Sequence, residues 1–313
     1  KIAISAAPYL FLYKNYSTFP FSGVSNSETI YCNENGYYSI YQSDRYGFNN
    51  PNEEWDKKEI EYLLIGDSFT HGACVNRPND IGSVLRKISN KHVLNLGMNG
   101  NGPLIEYATL REYLDTNVKK ILWIYYEEND LRNLKNELKN NILINYLNDN
   151  NFTQNLKIKQ DYIDNLLSNL IKEKEIEIEK ERERNTFKFE LIKFIKIYKI
   201  RISILSKQAT APEQSAEFKQ ILQLTKKLSN KNNSKLYFIY LPGYNRYTNH
   251  NNKTYILVKK IVTELKIPFI DIHKEVFENE QNPLELFSFE LPGHYNVEGY
   301  KKIAETVYKF TKD

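Results

Sequence analysis

Five short apolar runs mark the chain from residue 60 onward. They are Tyr62–Ile65, ending at Gly66; Val93–Leu96, ending at Gly97; Ile121–Tyr126; Leu236–Leu241, stopped by Pro242-Gly243; and Ile267–Ile272. Side chains of a strand alternate between the two faces of its sheet, so a run that is apolar on both faces suits a strand buried on both sides. Helical spacing of apolar residues separates the runs, over roughly 79–90, 103–116, 213–230, 253–265 and 297–312. Strands alternating with helices predict an open parallel sheet covered on both faces, an α/β fold.

More than a hundred residues separate the third run from the fourth, far more than one crossover helix needs. Lys172–Arg184 offers i,i+3 ion pairs (Glu177 with Lys180, Glu179 with Arg182, Glu181 with Arg184) and predicts a solvated helix. Phe187–Leu205 carries Phe187, Leu191, Phe194, Ile195, Tyr198, Ile202 and Leu205 at helical spacing, with lysines mostly off that stripe. Such a basic amphipathic helix is expected to pack as a cap or against a second copy, in preference to an anionic membrane surface. Residues 209–214, with Pro212, read as the loop back to the core. The expected division is therefore an N-terminal extension at 1–58, a core in two parts at 59–135 and 235–313, and a mainly helical insertion at 136–234.

Within the extension, Ile2–Tyr13 is broken by Pro8 and too short to cross a bilayer. A packed arm is the favoured reading, the remainder of a removed anchor the alternative. Residues 15–58, rich in Tyr, Asn, Ser and Gly, read as short strands and turns laid over something larger. Asn33-Glu34-Asn35-Gly36 is the clearest turn signal.

Composition narrows the picture little. Of 313 residues, 41 % are hydrophobic and 26 % charged, as in folded soluble chains. A net charge of +4 does not make a polycation, so no nucleic-acid partner is expected. Cys32 and Cys74 are too few for a disulfide scaffold, and no C-x-x-C pair is present. His92, His250 and His273 lack metal-ligand spacing, so no metal site is expected. The sequence does not begin with Met, which fits a trimmed chain and favours the cell envelope over the cytoplasm as its location.

The chemistry gathers where strands end. Gly66-Asp67-Ser68-Phe69-Thr70 follows the first run, placing a hydroxyl at the carboxyl edge of the sheet, where open α/β folds bind ligands. A glycine-rich loop, Asn95–Gly102, follows the second, and Glu127-Glu128-Asn129-Asp130 follows the third. Pro292-Gly293-His294-Tyr295-Asn296 precedes the last helix, with Asn296 as its expected N-cap. A hydroxyl, an imidazole, a carboxamide and loop N–H groups at one edge form the inventory of acyl transfer: nucleophile, base and oxyanion donors.

In these blocks the chain resembles the SGNH (GDSL-type) hydrolase family, over about 60–135 and 235–313. The matching residues are GDSF at Gly66–Phe69, NLGMNG at Asn95–Gly100, ENDL at Glu128–Leu131 and His294. The resemblance implies a flavodoxin-like three-layer α/β/α sandwich with a five-stranded parallel sheet, here with a helical insertion between the third and fourth strands. It implies no metal or organic cofactor. It also implies Ser68 as nucleophile, His294 as base, and an oxyanion hole from the Ser68 and Gly100 N–H groups and the Asn129 amide. The function implied is ester hydrolysis or acyl transfer. Small O-acyl groups on a glycan are favoured as substrate, with a lipid or thioester esterase or a non-catalytic SGNH-like binding module as alternatives.

The family's acid, three residues before the histidine, is replaced by Leu291. A Ser–His dyad is the expected arrangement, with Glu290 or a backbone carbonyl as the candidate third member; Asp271 is expected to be a structural cap. Asp67, His71 and Glu128 are candidates to line the pocket, with a structural role the favoured reading for Asp67 and His71, and Cys74 is expected to lie buried in the helix after Ser68. The Tyr and Asn of residues 31–50 suit either a sugar-binding rim or scaffold packing.

Overall fold

The apolar runs fold into one parallel sheet whose two faces bury alternate residues of each strand. The computed structural model describes residues 3–4, 17–115, 117–184, 215–249 and 253–312. A small sheet joins β1 (Ala3–Ile4), β2 (Glu28–Ile30) and β3 (Ile40–Gln42), the first pair parallel and the second antiparallel. The main sheet comprises β4 (Ile60–Gly66), β5 (Val93–Asn95), β6 (Val118–Tyr126), β7 (Lys235–Leu241) and β8 (Phe269–Asp271). All its pairings are parallel, in the order β5-β4-β6-β7-β8. The chain runs outward from β4 to β5 and then returns to β6, so the strand order reverses beside β4.

Helices connect these strands: α1 (Ser68–His71), α2 (Ile81–Ser89), α3 (Pro103–Tyr113), α4 (Asp130–Glu137), α5 (Asn141–Asn148) and α6 (Gln160–Arg184). After the insertion come α7 (Ser215–Lys231), α8 (Tyr244–Asn249), α9 (Lys253–Glu264), α10 (Ile272–Glu275) and α11 (Val297–Thr311). Leu63, Ile65, Ile121, Trp123, Tyr125 and Phe238 form one core with α3, α5, α7 and α9. Tyr62, Leu64, Leu122, Ile124, Tyr126 and Ile239 form the other with α2 and α11. The result is the three-layer α/β/α sandwich with a five-stranded parallel sheet. Caps set the helix starts: Asp80 accepts from Ser83 N at 2.9 Å, and Asn296 from Gly299 N at 3.0 Å.

The insertion is not separate from the sandwich. Leu143, Tyr146, Leu156, Ile163, Leu167 and Leu170 are buried in the same core as the sheet, whereas residues 172–177 of α6 are exposed. The basic amphipathic segment 187–205, the loop 209–214 and His250 lie outside the described residues, as does all of Ile2–Tyr13 except β1. No helix among the described residues is long and apolar enough to cross a membrane.

Residues 17–58 are joined to the sheet by burial and by a hydrogen-bond hub. Phe19, Phe21 and Phe48 sit in the main core. Asp44 is fully buried, and its carboxylate accepts from Tyr46 N, Phe48 N, Asn50 Nδ2 and Trp55 Nε1 at 2.7–2.9 Å. Asn50 carries the network onward to Asn95 N at 2.8 Å and Arg86 Nη2 at 2.7 Å. Gly47, at φ +83°, lets the turn close on Gly23, whose carbonyl oxygen would lie 2.0 Å from an added Cβ. The two cysteines, which alone promised no scaffold, are bonded to each other and tie the extension to the loop after α1. Cys74 lies outside α1, because Gly72, in left-handed conformation, ends that helix.

Asp44→Ala strands four donors in or near the core. It is expected to lower unfolding stability by about 3 kcal/mol, read as a fall in urea midpoint at unchanged m-value.

Candidate active site

The turn that presents Ser68 has no room for a side chain at its first residue. Gly66 sits at φ +155°, and a Cβ there would lie 2.0 Å from Thr70 Oγ1 and 2.5 Å from the Ile124 carbonyl oxygen. The chain then enters α1, where Asp67 Oδ1 accepts from Phe69 N at 2.9 Å. Ser68 emerges at the carboxyl end of β4, the switch point of the sheet.

From the far end of the chain, the loop before α11 delivers His294. Its Nε2 stands 2.9 Å from Ser68 Oγ, and its ring packs 4.6 Å from that of Phe69. Nδ1 lies 3.0 Å from Glu34 Oε2, which also accepts from the His294 backbone N–H at 2.6 Å. With Nδ1 donating to that carboxylate, Nε2 carries the lone pair and accepts from the Ser68 hydroxyl. Burial acts to raise the Glu34 carboxyl, but the hydrogen bonds and charge of His294 outweigh it and hold the group below the usual carboxylate range.

The oxyanion candidates lie at the same edge. The loop after β5 closes tightly on α1: a Cβ on Gly97 would lie 2.5 Å from His71 N, and Met98 N donates to the Gly66 carbonyl at 3.2 Å. Gly100 follows at φ +79°. Asn129 heads α4, and its Nδ2 donates one hydrogen to Asp67 Oδ2 at 2.9 Å. A carboxamide has a second N–H, which this bond orients. Burial pushes the Asp67 carboxyl up, against the bonds from Asn129 and Phe69 N.

The remaining named residues take other roles. Glu290 does not reach His294: its carboxylate accepts from Asn282 Nδ2 at 3.2 Å, because Phe289 and Glu290 both adopt positive φ and turn that chain away. The carboxylate on His294 is Glu34, which no local motif marks, since the two are 260 residues apart. His71 is buried rather than lining a pocket; it stacks on Tyr31 at 4.9 Å, and burial lowers its pKa to about 4. Glu128 accepts from Asn245 N at 2.6 Å and braces the loop before α8. Asp271 caps α10 and accepts from Tyr255 OH at 2.6 Å. The ligand atoms of Glu34, Cys74 and His294 come within 4.8 Å of one another, the one such grouping among the described residues. Cys74 is in a disulfide, so the trio offers no thiolate to a metal.

No protein-family model matches the sequence, and no curated protein shows a significant match. Similar solved structures include a protein described as lipolytic, of the G-D-S-L family, from Desulfitobacterium hafniense, with 15 % identity, 80 % of this chain and 99 % of that one covered, and a TM-score of 0.46. A lipolytic G-D-S-L family member from Veillonella parvula has 14 % identity, coverage of 81 % and 100 %, and a TM-score of 0.45. An acetyl-xylooligosaccharide esterase variant from Geobacillus has 14 % identity, coverage of 81 % and 94 %, and a TM-score of 0.42. Likenesses this distant give no residue a role.

Gly66→Ala forces a Cβ onto the Ile124 carbonyl oxygen at a positive φ. It is expected to cost about 3 kcal/mol or more and to lower the melting temperature by many degrees in differential scanning fluorimetry.

Proposed function

We propose that the protein is a serine-dependent ester hydrolase of the SGNH type, in which Ser68 and His294 carry the chemistry. The observation that carries this reading is the 2.9 Å contact of Ser68 Oγ with His294 Nε2 at the carboxyl edge of a parallel sheet. It has the geometry a nucleophile and its general base require.

His294 Nε2 takes the hydroxyl proton as Ser68 Oγ bonds to the ester carbonyl carbon. The developing oxyanion is held by the Ser68 and Gly100 N–H groups and the free N–H of Asn129, each such donor contributing on the order of 3 kcal/mol. Collapse breaks the bond to the alkoxide, which leaves with the proton from Nε2. Water, or a second hydroxyl in a transfer reaction, then attacks the acyl-enzyme while His294 again accepts its proton, and collapse breaks the acyl bond to Ser68 Oγ, which takes that proton back from Nε2. No step calls for a cofactor.

Small O-acyl groups on a glycan are the substrate class this reading favours. Tyr37, Tyr38 and Phe289 are exposed around Gly36, two residues from Glu34, and flat aromatic faces suit sugar rings. The Cys32–Cys74 bond supports an oxidising compartment such as the cell envelope.

An activated acetate ester tests the reaction. Ser68→Ala and His294→Ala are each expected to lower kcat by about 10³-fold or more, and Asn129→Ala by about 10²-fold. A fluorophosphonate is expected to label Ser68 in the native chain. Neither turnover nor labelling would leave a binding module as the better reading.

A further inference from the structure

We propose that Glu34 is the positioning residue of the catalytic base, and that the Cys32–Cys74 disulfide is the clip that keeps it there, so that full activity depends on that bond. This rests on the serine-hydrolase reading of Ser68 and His294.

The carboxylate is held in two ways at once. Oε2 accepts from both the backbone N–H and Nδ1 of His294, at 2.6 and 3.0 Å, fixing the ring relative to its own main chain. The space it occupies exists because residue 293 is glycine: a Cβ there would lie 2.5 Å from Glu34 Oε2. The next residue, Asn35, spans the two loops of the site. Its Nδ2 donates to the Cys74 carbonyl at 2.9 Å, and its Oδ1 accepts from Ser288 Oγ at 2.7 Å.

Beyond the backbone bonds that close the turn on itself, such as Ser39 N to the Cys32 carbonyl at 2.7 Å, those polar contacts tie it to the loops of the site. Asn33, Glu34, Gly36, Tyr37 and Tyr38 are exposed, and the Glu34 side chain is 38 % accessible. Hydrogen bonds at such positions compete with water and contribute little each. The disulfide does not face that competition. It bonds the residue two before Glu34 to the loop after α1, and Cys74 Sγ lies 3.4 Å from His294 Nδ1, so the clip packs against the imidazole it serves. Reduction by a dithiol moves two electrons: the reagent closes its own S–S ring, Cys32 and Cys74 become thiols, and Glu34 keeps only its water-exposed tethers.

The full chain is assayed with p-nitrophenyl acetate as wild type, Glu34→Gln, Glu34→Asp, Ser68→Ala and the Cys32→Ser/Cys74→Ser double variant. Glu34→Gln is expected to lower kcat by about 10²- to 10³-fold, with KM within about threefold, and Glu34→Asp to recover part of the loss. The titratable groups facing His294 are Glu34 at Nδ1, Asp67 behind Ser68 and the buried His71. His294 holds the Glu34 carboxyl below the usual range, so this coupling is expected to show as a changed pH profile of kcat/KM when Glu34 is removed.

Dithiothreitol is expected to bring the wild type toward the Glu34→Gln rate, and oxidised glutathione to restore it. The double cysteine variant is expected to be slow and indifferent to both reagents. Wild-type kcat with an unchanged pH profile in Glu34→Gln overturns the role of Glu34; full activity in reduced, still folded wild type overturns the clip. If Ser68→Ala is as active as wild type, or the wild type is inert, the hydrolase reading fails instead. NMR titration of the His294 imidazole still decides on Glu34 in that case, because an unshifted titration in Glu34→Gln removes its influence on the ring.

Discussion

The site depends on one contact, His294 Nε2 to Ser68 Oγ at 2.9 Å, made between residues 226 apart in sequence. Keeping two side chains at that separation requires both supports to be immobile, since any residual freedom lowers the fraction of time they meet. Ser68 is fixed from below by β4 and by the Gly66 turn. His294 is fixed by α11, whose Ile303, Ala304 and Val307 are fully buried against the same face of the sheet as α2. Two tyrosines join these supports: Tyr300 OH donates to the Ala73 carbonyl at 3.1 Å, and Tyr295 OH to the Pro242 carbonyl at 2.5 Å. The first ties α11 directly to the loop after α1, so the two halves of the core close on each other at the site.

The sheet and its helices are legible in the sequence because their cause is local. Runs that are apolar on both faces become β4 to β8, and the caps at Asp80 and Asn296 fix helix starts that spacing alone leaves loose. That Ser68, Gly100, Asn129 and His294 come to one edge of the sheet is legible for the same reason, each following a strand or preceding a helix within a short motif. Glu34 and the cysteine pairing are not. Glu34 reads as the polar residue of a turn, and its partner is named only by the tertiary course of the extension. His71 is a pocket candidate by its distance to Ser68, but Tyr31 and Tyr41 cover it. Two cysteines 42 residues apart carry no pairing signal until β2 and β3 bring Cys32 over the loop after α1.

Glu106, Asp130 and Glu137 form a group of buried acids close to Asp67. Glu106 is fully buried; burial first, then the charges of Asp67 and Glu137, raises its pKa well above the ordinary value, against a hydrogen bond from Trp123. Asp130 is raised by burial and by Glu106 in turn. Glu137 acts mechanically, accepting from Gly102 N at 2.6 Å and Leu104 N at 2.9 Å, so α4, which carries Asn129, is tied to the loop that carries Gly100.

The absence of a carboxylate at position 291 and its presence at 34 are linked by charge. Nδ1 of His294 carries one proton to donate, and Glu34 already takes it. A second carboxylate brought to the same nitrogen would lie within a few ångströms of the first, and two like charges that close cannot both stay ionised cheaply. Leu291 is instead turned outward, 47 % exposed, after the positive-φ pair Phe289–Glu290. Once the acid enters from the extension, everything that holds the extension acts on the site: Phe19, Phe21 and Phe48 in the core, the Asp44 hub and the disulfide. The compositional break near residue 58 therefore does not divide the structure, because residues on both sides of it meet at one imidazole.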